Sequence, residues 1–213
     1  MRVMPKNTNI NLANKVARFK KWASSRQGTY GEWECDYQHW DELWKAAEES
    51  MKDFSHENSD IETINNLLYT IARDNEIERL RKEAIKYPEL LRQLARFGVD
   101  SSEPDAKWQV SVSVADAQLP DAADLIRPYL NDNNEYVRRR SLLAIAPFSP
   151  NEAEEIAKVW MDKDYEYSRI AGLHVLDILK SECLELYLER HANDSSKYVR
   201  SNVEDIRKQR YRE

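Results

Sequence analysis

The sequence predicts an all-α fold, and more specifically an α-solenoid of antiparallel helix pairs. One observation is a motif that recurs three times at a constant interval of 31 residues. Another is that apolar residues lie at helical spacing along most of the remaining chain. A fixed period of roughly 20–50 residues is typical of solenoids, because each helical unit buries its apolar side against its neighbours. The copies are Glu135-Tyr136-Val137-Arg138, Glu166-Tyr167-Ser168-Arg169 and Lys197-Tyr198-Val199-Arg200.

Length and composition indicate one folded domain spanning residues 1–213. The chain has a net charge of −6, and 41% of its residues are hydrophobic, so intrinsic disorder is not expected. No apolar stretch is long enough to span a membrane, and the N-terminus has no signal-peptide core, so we expect a cytoplasmic protein. Cys35 and Cys183 are far apart and match no zinc spacing, so we expect them to be small apolar filler.

Residues 1–60 form an irregular helical cap in this interpretation. Asn9 to Arg26 has an amphipathic pattern, and a glycine-containing loop ends it. A second helix is expected from Asp36, as its N-cap, to about Lys52. Its aromatic stripe, with Trp40 and Trp44, is too apolar to be left in water.

Residues 61–118 are interpreted as degenerate repeats. Asp60 or Ser59 can cap the first helix, and Pro88 suits the first turn of a helix that Gly98 ends. Residues 107–117 are ambiguous, because alternating Val and Ser is a strand pattern. The 31-residue period favours a helix instead, since Lys107 lies one period before Arg138.

Three helix pairs are predicted for residues 119–148, 149–180 and 181–211. Each contains a leading helix, a short polar turn and a second helix that begins with one copy of the motif. Pro128 falls inside the first leading helix, residues 120–130. We expect it to kink that helix, because its ring removes one hydrogen bond and clashes one turn back.

The spacing around these turns resembles that of the HEAT-repeat family, most clearly over residues 119–211. In that family an Asp in the turn lies six positions before an Arg in the second helix, and this chain has Asp132 before Arg138 and Asp194 before Arg200. The middle pair departs, with Lys163 six positions before Arg169. The resemblance implies a right-handed solenoid and a ladder of Asp and Arg side chains between neighbouring repeats. The candidate ladder residues are Asp132, Arg138, Arg169, Asp194 and Arg200.

Two surfaces are candidates for binding a partner. The resemblance implies that second helices line the concave side of the solenoid, and Tyr and Arg are enriched in interface hot spots. Packing of the tyrosines along the seam between helix pairs is the alternative reading. The other candidate is an acidic segment. Residues 32–60 hold ten acidic residues, whereas residues 1–27 hold seven basic residues and no acidic residue. The concave candidates are Tyr136, Arg139, Arg140, Tyr167, His174 and Tyr198; the acidic candidates are Glu32, Glu34, Asp36, Asp41 and Glu42.

No catalytic, metal-binding or cofactor-binding motif is apparent, so we expect no catalytic residue, metal or cofactor. The expected function is non-catalytic binding of another protein. Most concretely, we expect the chain to be a bacterial immunity protein that binds and neutralises a basic toxin such as a nuclease. We expect a monomer apart from that partner. The alternative is a DNA-binding enzyme resembling the HEAT-like alkylpurine glycosylases, which the acidic balance disfavours. Its candidate residues are Trp108 and Trp160 for base stacking, and Asp116 or Asp164 as catalytic acid.

Overall fold

The computed structural model describes residues 7–26, 36–55 and 60–210. Within these ranges there are twelve α-helices and no strand, which confirms the predicted all-α class. The chain divides into two compact units, Met1–Leu119 and Pro120–Glu213.

The first unit contains six helices in its described residues. The helix α1 packs against α2 and α3, while α6 packs against α3 and α5. These contacts enclose a core of leucine, isoleucine and alanine side chains. The helices are α1 (Asn7–Ser24), α2 (Trp40–Lys52), α3 (Ile61–Ala72), α4 (Arg79–Ala84), α5 (Pro88–Gly98) and α6 (Pro104–Asp116).

An aromatic cluster joins α1 to α2. Phe19 is fully buried, and its ring contacts Tyr37 edge-on at 4.9 Å and Trp40 at 4.9 Å between centroids. The predicted start of α2 at Asp36 is wrong, because the helix begins at Trp40. Tyr37 instead lies before the helix and packs into the cluster. Asp36 is therefore too far from the first turn of α2 to cap it.

Helix boundaries in the first unit follow the sequence signals elsewhere. Asp60 caps α3 by accepting a hydrogen bond from the amide of Thr63 at 2.6 Å. Pro88 is the first residue of α5 and Gly98 the last, both as predicted. These signals are local, so the surrounding fold does not alter them.

Residues 107–117 are helical up to Asp116, which confirms the prediction from the 31-residue period over the strand pattern. Both residue types of the alternating pattern are buried in α6. The Ser111 hydroxyl donates to the carbonyl of Trp108 at 2.9 Å, and the Ser113 hydroxyl to that of Gln109 at 2.8 Å. Because these hydroxyls are satisfied within the helix, serine does not have to face solvent.

The second unit contains the three motif copies. The second helices pack in sequence order, α8 on α10 and α10 on α12, while α9 packs against α10. The elements are α7 (Ala122–Ile126), a 3₁₀ segment (Arg127–Asn131), α8 (Glu135–Ile145), α9 (Pro150–Trp160), α10 (Glu166–Ile178), α11 (Leu184–Arg190) and α12 (Lys197–Arg210).

Pro128 divides the leading helix of the first pair. The sequence predicts one kinked helix over residues 120–130, whereas the α-helix ends at Ile126 and a 3₁₀ segment follows from Arg127. Pro128 has no amide hydrogen to donate, so the α-helical ladder cannot continue through it. The tighter 3₁₀ turns carry the chain on to Asn131.

Gly172 marks the closest approach of α10 to α9. A Cβ atom at this position would lie 2.7 Å from Met161 Sδ and 3.0 Å from the carbonyl oxygen of Ala157. Met161 is itself buried, so its side chain has little room to move away. The absence of a Cβ atom at Gly172 therefore allows α10 to pack against Ala157 and Met161 without a steric clash.

We expect Gly172→Ala to lower the free energy of unfolding by about 1–2 kcal/mol, since overpacking outweighs the helix propensity gained. Urea denaturation monitored by circular dichroism measures the change. Ser201→Ala, at an exposed site in α12, is the control and should change stability little. In a Met161→Ala background the cost of Gly172→Ala should fall, and an unchanged cost would contradict the assigned steric cause.

Candidate functional site

The three motif arginines make the same contact with the turns that precede them. The Nη1 atom of Arg138 donates to the carbonyl oxygens of Asp132 at 2.6 Å and Asn133 at 3.0 Å. Arg169 and Arg200 bind the carbonyls six and five residues upstream in the same way. The 31-residue repetition of the sequence is therefore also a repetition of geometry in this unit.

Asp132 and Asp194 organise the first and third turns. Each carboxylate accepts the amide hydrogen two residues later, at 2.8 Å from Asn134 and 2.9 Å from Ser196. Asn134 then caps α8 by accepting from the amides of Tyr136 and Val137. The middle turn has Lys163 at the corresponding position, and Tyr165 precedes α10 without a side-chain cap.

Arg169 and Asp194 form a buried link between α10 and the turn before α12. Arg169 Nε and Nη2 donate to the two carboxylate oxygens of Asp194 at 2.9 and 2.7 Å. His191, which the sequence analysis missed, lies 2.9 Å from the same carboxylate through Nδ1. Burial raises the pKa of Asp194, but the hydrogen bonds from Arg169, His191 and Ser196 outweigh it and lower the pKa to about 2.

Tyr136, Tyr167 and Tyr198 are exposed, and the half-buried Arg139 lies against the rings of the first two; these four residues are hereafter the Tyr-Arg row. The tyrosines are 40%, 37% and 48% exposed, respectively. The guanidinium carbon of Arg139 lies 5.1 Å from the ring centroid of Tyr136 and 4.9 Å from that of Tyr167. The rings of Tyr167 and Tyr198 stack at 6.3 Å with an interplanar angle of 21°.

Neighbouring side chains hold this row in place. Arg139 Nε forms an ion pair with a carboxylate oxygen of Glu135 at 2.5 Å. Tyr165 contacts the ring of Tyr167 at 5.5 Å, and the Lys197 ammonium lies 5.0 Å from the ring centroid of Tyr198. The sequence analysis missed both residues, although Tyr165 stands only two positions before a motif tyrosine.

The other concave-face candidates are less exposed. Arg140 is half-buried in α8. His174 is also half-buried, and its Nε2 lies 2.7 Å from the side-chain oxygen of Asn202, so it links α10 to α12. Both residues belong to helices that also carry members of the Tyr-Arg row, Arg140 to α8 and His174 to α10.

The acidic segment is neutralised in part by α1. Arg26 Nη1 lies 3.1 Å from a carboxylate oxygen of Asp36. Glu42 pairs with Lys15, Arg18 and His39, and the hydrogen bonds from Lys15 and His39 lower its pKa to about 2. The charges of Asp36 and Glu42 are therefore compensated within the chain. Asp41 is exposed, whereas Glu32 and Glu34 lie outside the described residues.

The two tryptophans proposed for the glycosylase alternative are buried, whereas its two aspartates are exposed. Trp108 is 4% exposed and donates its indole hydrogen to Asp105, and Trp160 is 5% exposed beneath the Lys163 ammonium. Buried indoles offer no free face to a nucleobase. Asp116 pairs with Arg81 at 2.5 Å, and Asp164 lies in the turn before α10, where its carbonyl accepts from Arg169.

Two further searches concern metals and membranes. In the described ranges no three His, Cys, Asp or Glu side chains come together as a metal site. None of the helices there combines the length and the apolar character that a bilayer crossing requires. Cys183 is half-buried with a free thiol, and Cys35 lies outside the described residues.

Comparison of the chain with protein-family models, curated proteins and solved structures gives no match. The resemblance to HEAT repeats therefore depends on the motif spacing alone. Function has to be inferred from the same residues.

Protonation of Asp194 is expected to weaken the fold. Its pKa is lowered in the folded state, so its contribution is complete above the ordinary value of 3.8 and is lost as the pH falls towards about 2. Between pH 5 and pH 2.5 the wild type should therefore lose on the order of 1–2 kcal/mol more unfolding free energy than Asp194→Asn. Urea denaturation at the two pH values measures this difference, and equal losses would show that the carboxylate contributes no pH-dependent stability.

Proposed function

We propose that this chain is a non-catalytic protein-binding module built from HEAT-like helix pairs, and that the Tyr-Arg row is its principal binding surface. The observation that carries the proposal is the row of three exposed tyrosines, in which Arg139 lies against Tyr136 and Tyr167, and Tyr167 stacks on Tyr198. In this interpretation α8, α10 and α12 are the second helices of consecutive antiparallel pairs in a right-handed α-solenoid, and the row lies on its concave side.

The composition of the row suits protein recognition. Tyr and Arg are enriched in interface hot spots because each combines a large contact area with hydrogen-bonding groups. Tyr167 already stacks on Tyr198, and Arg139 already forms an ion pair with Glu135, so binding would immobilise few additional side chains. A preorganised surface of this kind supports affinity without a deep cavity.

The narrower form of the proposal is a bacterial immunity protein that binds and neutralises a basic toxin such as a nuclease. Its support is the net charge of −6, which favours encounter with a cationic partner through long-range steering. Duplex DNA is a weaker candidate partner, since the same charge opposes contact with phosphate groups.

The double variant Arg139→Ala/Tyr167→Ala is expected to weaken binding of the partner by at least about 30-fold, equivalent to one hot-spot contribution of about 2 kcal/mol. Proteins captured from a lysate of the source cell are quantified by mass spectrometry, and the dissociation constant of the recovered partner is then measured by calorimetry. Circular dichroism checks that the variant is folded.

The matched control is Ile178→Ala/Leu186→Ala, which removes two exposed apolar side chains outside the row. This variant should bind the partner as the wild type does. Equal binding by wild type and the Arg139/Tyr167 variant would refute the row as the interface. Recovery of no basic protein would contradict the immunity form, and submicromolar, steeply salt-dependent binding of duplex DNA would contradict protein binding as the main function.

A further inference from the structure

The middle turn of the second unit lacks a carboxylate that its neighbour has. Arg169 Nη1 donates to the carbonyls of its own turn, while Nε and Nη2 donate to Asp194, which lies 25 residues further along the chain. Arg138 makes the same carbonyl contacts through Nη1. The residue 25 positions after Arg138 is Lys163. A cation therefore stands where the adjacent helix pair supplies an anion.

Lys163, at the position equivalent to Asp194, places its positive charge beside that of Arg138. Burial lowers the pKa of the Lys163 ammonium, the charge of Arg138 lowers it further, and Glu135 acts in the opposite direction. Within the described residues of the second unit neither Arg138 nor Lys163 forms an ion pair. The two cations thus repel each other and have unused donor capacity.

A cleft of about 770 Å³ opens at this point, and both cations line it. Trp160 also lines the cleft, and the Lys163 ammonium lies 4.7 Å from its ring centroid. Three acidic residues also line the cleft, but each already has a partner. Glu152 accepts from Arg127 at 3.0 Å, Glu155 pairs with Lys158 at 3.0 Å, and Asp132 accepts the amide hydrogen of Asn134.

We propose that this cleft binds a carboxylate, which takes the place that Asp194 occupies against Arg169. The ligand carboxylate accepts from Nε and Nη2 of Arg138 in the bidentate geometry that arginine favours, and from the Lys163 ammonium. Its source is a free organic acid or an acidic side chain of another protein. The site is separate from the Tyr-Arg row and does not depend on the row being an interface.

Titration with sodium acetate, followed by ¹⁵N NMR of the Arg138 side chain and the Trp160 indole, tests the site. Sodium chloride at matched ionic strength is the reference. Acetate should shift both signals saturably, and Lys163→Ala should weaken its binding about tenfold through loss of one charge-assisted hydrogen bond. Shifts that chloride reproduces, or an absence of shifts, would overturn the proposal.

Lys163→Asp supplies the missing carboxylate from within the chain. It should abolish the acetate-dependent shifts and raise the thermal midpoint by about 2–4 °C. Lys208→Asp, which makes the same charge change at an exposed site in α12, should do neither. Acetate binding that survives Lys163→Asp would overturn the assignment of the site.

A five-residue peptide with a single Glu separates the two sources. Binding at least about tenfold tighter than acetate supports a protein side chain, whereas binding no tighter than acetate supports a free acid. Either outcome is consistent with the site. Saturable binding of inorganic phosphate without binding of acetate or peptide would overturn the carboxylate assignment.

Discussion

The second unit depends on one recurring hydrogen-bonding arrangement, in which an arginine near the start of a second helix binds two carbonyls of the preceding turn. Arg138, Arg169 and Arg200 all make it through Nη1. Carbonyls in such turns have no helical partner, so a cationic donor satisfies them at short range. Because only one guanidinium nitrogen is used, the Nε and Nη2 edge remains available for the next helix pair.

That available edge explains both the link between helix pairs and the candidate ligand site. Arg169 uses it to hold Asp194, whereas Arg138 faces a position at which the chain has Lys163. The same backbone arrangement thus gives a buried structural ion pair in one place and a cleft lined by two cations in the other. A single residue type at one repeat position determines which of the two results.

The Tyr-Arg row follows from the same repetition. Residues one period apart occupy equivalent places on α8, α10 and α12, and these helices pack side by side. Tyrosines at one helical position are therefore brought into contact, and Tyr167 and Tyr198 stack. Arg139 has no equivalent in the other two copies, so the row is aromatic throughout but cationic at one point only. The two ends of the row therefore differ in charge, because the equivalent positions are Ile170 and Ser201.

The sequence by itself determined the helical class, the period and the local boundaries, including the Asp60 cap, the Pro88 start and the helix over residues 107–116. The cap and the proline start depend on backbone preferences and hydrogen bonds within a few residues, whereas the helix over residues 107–116 follows from the 31-residue period, against its local strand pattern. Only the tertiary structure decided that α1 neutralises Glu42, that Trp108 and Trp160 are buried, and that Arg138 faces Lys163. Such pairings join residues about 25 or more positions apart, and composition cannot reveal whether a charge finds its partner within the chain or outside it.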